Sequence, residues 1–172
     1  MFFDNAFADT SDEINQARQF ISENGLIVQT DIQNTDMYGF LVRSDMAEIM
    51  VNYDTKVLGQ IPNTGLICNF TDMDNESSEI KNYAILACQL GIMWIYSDGT
   101  PTEKFNPNEI VTRAVFGTAL SRLLYGNIFN WWTPYYINHL NALKEASIVS
   151  RTTPDVKEIR WYAVLMLMRA EK

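Results

Sequence analysis

Apolar residues recur at helical spacing in six stretches of the chain. Ile14, Ala17, Phe20 and Ile21 run on to Asn24, with Thr10-x-x-Glu13 in capping-box form before them and Gly25 placed to end the helix. Val42, Met46, Ile49, Met50 and Tyr53 form a second stripe. Ile80, Tyr83, Ala84, Ala87 and Leu90 form a third, closed by Gly91. Thr112 is placed to cap a fourth helix carrying Val115, Phe116, Ala119, Leu120 and Leu123. Thr133-Pro134 predicts the start of a fifth, with the hydroxyl as cap and proline in the first helical position, leading to Leu140 and Leu143. Asp155-x-x-Glu158 predicts the opening of a sixth, burying Ile159, Tyr162, Ala163, Met166, Leu167 and Ala170. Asp98-Gly99 and Asn106-Pro107-Asn108 are turn chemistry between paired helices. The expected class is all-α, with short extended pieces in the loops.

The stripes are not independent. Phe7-Ala8-Asp9, Gly25-Leu26-Ile27 and Val42-Arg43-Ser44-Asp45 align in order with Phe70-Thr71-Asp72, Gly91-Ile92-Met93 and Thr112-Arg113-Ala114. The offsets drift from 63 to 66 to 70, as loop insertions between equivalent elements produce. A weaker third copy runs from Tyr135-Tyr136-Ile137 through Ala146-Ser147-Ile148 to Ile159-Arg160-Trp161-Tyr162, with Ser147 where the others have glycine. Three helix–loop–helix units are expected, at about 5–64, 65–130 and 131–172, within one domain spanning 1–172. At about 57 residues each, such units are too small to bury their own apolar faces and are expected to share a core.

Charge and rare residues narrow the function classes. Thirteen basic against 21 acidic side chains leave a net charge of −8, which argues against a dedicated nucleic-acid binder. One histidine and two cysteines leave little for zinc or histidine-based catalysis, and no spacing singles out a carboxylate pair. No catalytic residue, metal or cofactor is therefore expected. Cys68 and Cys88 read as two buried free thiols, the alternative being a disulfide that closes a loop worth about 3 kcal/mol. The N-terminus has no basic segment or apolar stretch of leader length, and the longest apolar run, Ala84 to Tyr96, is too short to span a bilayer.

The ordered series Phe70-Thr71-Asp72, Leu90-Gly91-Ile92, Asp98-Gly99, Phe105-Asn106-Pro107-Asn108 and Val111-Thr112-Arg113-Ala114 resembles the S-layer homology module, most closely over residues 70–124. The resemblance implies a bundle of three repeats with pseudo-threefold symmetry and grooves between repeats. It also implies that the arginine of the Thr-Arg-Ala-Glu step binds a pyruvylated secondary cell-wall polysaccharide. A guanidinium near a helix N-terminus suits a carboxylate, by its planar donor fork and by the helix dipole. Carried over by position, the ligand-binding candidates are Arg113 with Thr112, Arg43 and, more distantly, Arg160. Asp9 and Asp72 match Phe-x-Asp and are read as fixing their loops by accepting from backbone amides. The signature glutamate is Asp45, Val115 and Tyr162 in the three units, and the threonine survives only as Thr112.

Other features are weaker. Asp72-x-Asp74-x-Glu76 lacks the glycine and closing glutamate of a calcium loop, and two Asn-x-Ser/Thr triplets start at Asn69 and Asn75. Trp131-Trp132 with Tyr135-Tyr136 could stack on sugar but reads first as packing, and His139 has no partner at useful spacing. The expected protein is a non-catalytic, extracellular component of the bacterial cell surface. The eroded arginine pockets and the aromatic surplus favour a structural subunit that self-assembles with copies of itself into a layer, tube or filament. The alternative is a wall anchor holding an anionic glycan through its groove arginines. No nucleic-acid partner and no membrane span are expected.

Overall fold

A computed structural model describes residues 10–27, 36–93, 100–131 and 133–171. Its elements are α1 (Thr10–Asn24), α2 (Arg43–Asn52) continuing into a π-helical turn (Tyr53–Val57), α3 (Ser78–Gln89), α4 (Arg113–Tyr125), α5 (Ile137–Glu145) and α6 (Arg160–Ala170). The class is all-α: β pairing among the described residues takes the form of isolated bridges, including the antiparallel ones Phe40–Ile159, Val42–Ile110 and Thr112–Lys157.

The first helix of each expected unit ends in the same way. Gly25, Gly91 and Ser147 have φ of +56°, +74° and +59°, the left-handed region. The next amide then reaches back to the helix, Leu26 N to Ile21 O at 3.0 Å, Ile92 N to Ala87 O at 3.1 Å and Ile148 N to Leu143 O at 2.9 Å. Each turn buries the apolar residue that follows it, Leu26, Ile92 or Ile148. Ser147 thus keeps the glycine conformation although its Cβ disfavours it. Ser147→Gly should stabilise the chain by about 0.5–1 kcal/mol, read as a higher urea midpoint; a lower midpoint would show that the serine side chain contributes there.

The helices pack in a cycle, α2 on α3, α4 on α5 and α6 on α1. Each second helix therefore leans on the first helix of the next stretch, and one contiguous apolar cluster runs from Ile14 to Leu167. Gly117 of α4 lets Leu140 of α5 pack against its backbone, since a Cβ there would collide with that side chain. At the centre three extended segments meet. Leu41 N donates to Glu158 O, Glu158 N to Val111 O and Val111 N to Leu41 O, each at 2.9 Å, closing a triangle.

Four expectations need correction. Cys68 and Cys88 are joined in a disulfide, not free, which ties the loop after the π-turn to α3 and removes about 3 kcal/mol of loop entropy from the unfolded chain. The fifth helix starts at Ile137, not at Thr133-Pro134: Ile137 N bonds Pro134 O at 3.2 Å and closes a turn there first. The sixth starts at Arg160, because Ile159 stays extended in a bridge to Phe40, so Asp155-x-x-Glu158 is not its opening. Thr112 occupies the N-cap of α4, but its side chain makes no capping bond. The Thr10 capping side chain, Phe7, Asp9 and Asp98-Gly99 lie outside the described residues. Ser77 supplies the side-chain cap of α3, accepting from Ile80 N at 3.2 Å.

Candidate functional site

The three arginine helices begin alike, and the reason is long-range. Val42, Thr112 and Ile159 are extended, with φ near −100° and ψ of 164°, 164° and 152°. The first amides of each helix, which lack intrahelical partners, donate to backbone carbonyls of another segment. Arg43 N and Ser44 N reach Glu109 O and Pro107 O at 3.1 and 3.0 Å. Arg113 N and Ala114 N reach Val156 O and Pro154 O at 2.8 and 2.9 Å, while Arg160 N and Trp161 N reach Gly39 O and Met37 O at 3.1 and 2.9 Å. Backbone carbonyls do the capping, so valine and isoleucine serve at the cap position as well as threonine.

The side chains of these arginines differ sharply. Arg113 is 6% exposed, donates to both carboxylate oxygens of buried Glu158 at 2.6 and 3.2 Å, and reaches Arg151 O at 3.2 Å. Its guanidinium carbon also lies 4.9 Å from the centroid of the Tyr162 ring. Burial alone would lower the Arg113 pKa, but the Glu158 carboxylate more than reverses this and raises it. Arg160 donates twice to Asp45 Oδ2, at 2.9 and 2.6 Å, and once to Asp36 O at 3.3 Å. Asp45 and Tyr162, two occupants of the signature glutamate position, thus contact Arg160 and Arg113, the latter in addition to its ion pair with Glu158. Arg43 is held more loosely, by Glu109 at 2.9 Å and by Phe105 O at 3.3 Å. Glu109 is about half exposed, so water screens that pair and an incoming anion can replace it.

Arg43 opens onto a cavity of about 170 Å³ between α2 and α4. Its polar lining is Arg43, Thr118, Arg122 and Tyr135, over an apolar floor that includes Met46 and Ile92. The Thr118 hydroxyl is buried without a hydrogen-bond partner. Arg122 uses Nε on Asn130 Oδ1 at 2.9 Å. Burial lowers the Arg122 pKa, and no carboxylate offsets this as Glu158 does for Arg113. Burial raises the Tyr135 phenol although the positive charges of Arg43 and Arg122 both act on it in the opposite sense. Thr118 and Arg122 belong to no signature, and sequence reasoning passed over them. One signal was available: they lie one turn apart on α4, four positions separating them, on a helix otherwise rich in apolar residues.

The other candidates fall as follows. Asp72 accepts from Phe105 N at 2.9 Å and Asn106 N at 2.7 Å, locking the turn in which Asn106 sits at φ +55°. Burial would raise its carboxyl, but those amides more than compensate and hold it below its ordinary value. With Asp72 spent on that turn and Glu76 accepting from Asn108, no cluster suited to a metal forms among the described residues. Thr112 pairs through its backbone with Lys157. Trp131 is 74% exposed, and Trp132 lies outside the described residues. His139 is buried with Nδ1 2.9 Å from Ser121 Oγ and Nε2 unpartnered.

Among the described residues no helix is long and apolar enough to cross a membrane. No curated protein matches the chain. The family model described as the S-layer homology domain matches residues 69–114, the stretch that opens before Phe70 and Asp72 and closes just past Arg113. Domains of this family are non-catalytic modules of cell-surface proteins. The turn that Asp72 locks, the extended segment behind it and the arginine that starts α4 all fall within the stretch, residues 69–114, that is similar to the S-layer homology domain.

Proposed function

We propose that this chain tethers to the bacterial surface by holding an anionic wall glycan in the groove between α2 and α4. Arg43 and Arg122 would grip the acidic group, such as the carboxylate of a pyruvylated sugar. Thr118 would donate its hydroxyl, and Tyr135 would offer its half-exposed ring to the sugar face. One observation carries this reading: two cations and an orphaned buried hydroxyl converge on one cavity while Arg113 and Arg160 are engaged by acidic side chains within the fold. The grouping of residues 1–172 as one domain of three equivalent units is part of the same proposal. The closed triangle of Leu41, Val111 and Glu158 and the cyclic helix packing support it.

Sedimentation with purified cell walls tests the proposal. Arg43→Ala and Arg122→Ala should each weaken wall binding about tenfold, the scale of one lost charge-assisted contact. Mild acid treatment that removes pyruvate ketals from the wall should have the same effect on the unaltered chain. Binding that survives both substitutions would overturn it. Self-assembly into a surface layer is the second reading, favoured by the exposure of Ile61 (87%), Ile67 (85%) and Trp131 (74%). Polymers that form without wall material and disappear in Ile67→Lys or Trp131→Lys would support that reading.

A further inference from the structure

Three stretches of the chain, 57–71, 82–97 and 123–143, contain no Asp, Glu, Lys or Arg. They meet at a second cavity, of about 330 Å³, whose lining takes Gln60 and Ile61 from the first, Gln89 to Ile92 from the second, and Leu123 and Gly126 from the third. Its charged lining residues are Asp54 and Arg122. Asp54 is buried, and among the described residues no side chain or amide donates to its carboxylate. Arg122 donates to Asn130 Oδ1 at 2.9 Å. The hollow is therefore surrounded by chain that carries no charge.

Exposed apolar side chains border it. Ile61 lines the cavity and stands out from it into solvent. Ile67, equally exposed, follows Leu66, whose carbonyl accepts from the lining residue Gln89 at 3.3 Å. Ile128 and Trp131 lie on the turn that leaves the lining residue Gly126 and is held to the lining residue Arg122 through Asn130. Both borders are fixed in place. The Cys68–Cys88 disulfide and the bond from Asn63 N to Gln89 O at 3.0 Å tie the first to α3. Asn130 closes the second by donating to Asn127 Oδ1 at 2.8 Å. A surface organised beforehand loses little freedom on binding.

Aliphatic and aromatic groups with charge removed are the composition of an interface core. The three stretches expose on the order of 20 residues, about what one side of a standard interface uses. Charge selects the occupant. An anionic glycan, lipid headgroup or nucleic acid would meet one lining cation there, Arg122, which is already bonded to Asn130. A second copy of this chain brings a net charge of −8, and two such copies approach at least cost through faces that carry none. We infer that the surface around the Asp54 cavity is the two-fold contact of a homodimer, border against border, with each hollow open to a protruding side chain of the other copy. The inference rests on the self-assembly reading, which it deepens by naming the contact surface, and it does not require the glycan groove at Arg43.

Analytical ultracentrifugation of the full chain tests this. The unaltered protein should sediment at twice its 19.8 kDa mass when concentrated and dissociate on dilution, with a Kd in the micromolar range. Added salt should tighten the dimer, because it screens the repulsion between the acidic remainders of the two copies. Ile61→Asp, Ile67→Asp and Trp131→Asp should each weaken it about tenfold. Because those side chains are exposed in the single chain, their urea midpoints should stay in place. Tyr38→Asp, at an exposed aromatic outside the three stretches, and Arg43→Ala should leave the dimer unchanged. A dimer indifferent to Ile61→Asp and Trp131→Asp, or lost in Tyr38→Asp, would overturn this surface and leave self-assembly to another face. A chain that stays monomeric to millimolar concentration would sink the surface and the self-assembly reading together, with wall binding untouched. Monomers that bind phosphatidylcholine vesicles through Ile61 and Trp131 would give the patch to a lipid surface and overturn the dimer contact.

Discussion

Arg113→Ala should lower the unfolding free energy by about 3–5 kcal/mol, the usual cost of leaving one member of a buried ion pair without its partner. Glu158 is 1% exposed, and Arg113 donates to both of its carboxylate oxygens, so the substitution leaves that buried side chain without its cation. The same change removes the hydrogen bond to Arg151 O and the cation over Tyr162. A urea titration reads the loss as a lower midpoint at nearly constant slope. Arg43→Ala should cost under about 1 kcal/mol, because its partner Glu109 is exposed and screened. The two substitutions therefore separate fold from function. Arg113→Ala should unfold early yet bind walls normally while folded, whereas Arg43→Ala should remain stable and bind poorly. A stable Arg113→Ala protein that has lost wall binding would reverse the assignment and make Arg113 the ligand contact.

The second large effect is a pair of opposed pH dependences. Burial, with the positive charge of Arg122 adding to it, pushes the His139 imidazole down to about 4. Below its unfolded value of 6.5 the unfolded chain gains a proton that the folded chain refuses, so stability falls as pH drops from 6.5 towards 4. Asp54 works the other way. Its carboxyl is raised from 3.8 to about 6, so the folded chain takes up a proton first and stability rises as pH drops from 6 towards 3.8. Each full shift is worth about 3 kcal/mol, so the two largely cancel in the unaltered chain. Relative to that chain, Asp54→Asn should lose about 3 kcal/mol between pH 7 and pH 4, and His139→Gln should gain about as much. Urea midpoints at the two pH values measure this. Parallel pH profiles for all three proteins would show that neither group is held as the structure places it.

Local spacing carries the helices well. The stripes at Ile14–Ile21, Met46–Met50, Ile80–Ala87 and Phe116–Leu120 all turn inward, and Gly25 and Gly91 sit where their φ values are needed. Helix starts were less legible, because three of the side-chain capping cues, at Thr112, Thr133-Pro134 and Asp155-x-x-Glu158, name groups that do not cap. Capping motifs assume that a helix satisfies its first amides locally. Here the arginine helices satisfy theirs with carbonyls of Pro107, Pro154 and Met37 from other segments, which leave no mark in the adjacent sequence. The disulfide was open for a similar reason: a separation of 20 residues permits it, but only the packing of the 58–68 loop on α3 brings Cys68 to Cys88.

The candidate site divides along the same line. Spacing alone marked Arg43, Arg113 and Arg160 as equivalent, and their backbones are equivalent in the fold. It could not distinguish their side chains, because Glu158, Asp45 and Glu109 reach them from 45, 115 and 66 positions away. Burial then makes one pair structural, leaves one half-covered and leaves Arg43 beside an exposed partner. Thr118, Arg122 and Asp54 were silent as residues, since a buried threonine or aspartate looks like any other until its partners are known. The sequence by itself determined the helical class, the likeness of residues 69–114 to the S-layer homology domain and the three arginine steps, because these rest on periodicity and order along the chain. Only the tertiary structure decided which arginine is spent, which groove keeps its cations and where an unpartnered carboxylate lies, because each depends on contacts between segments distant in sequence.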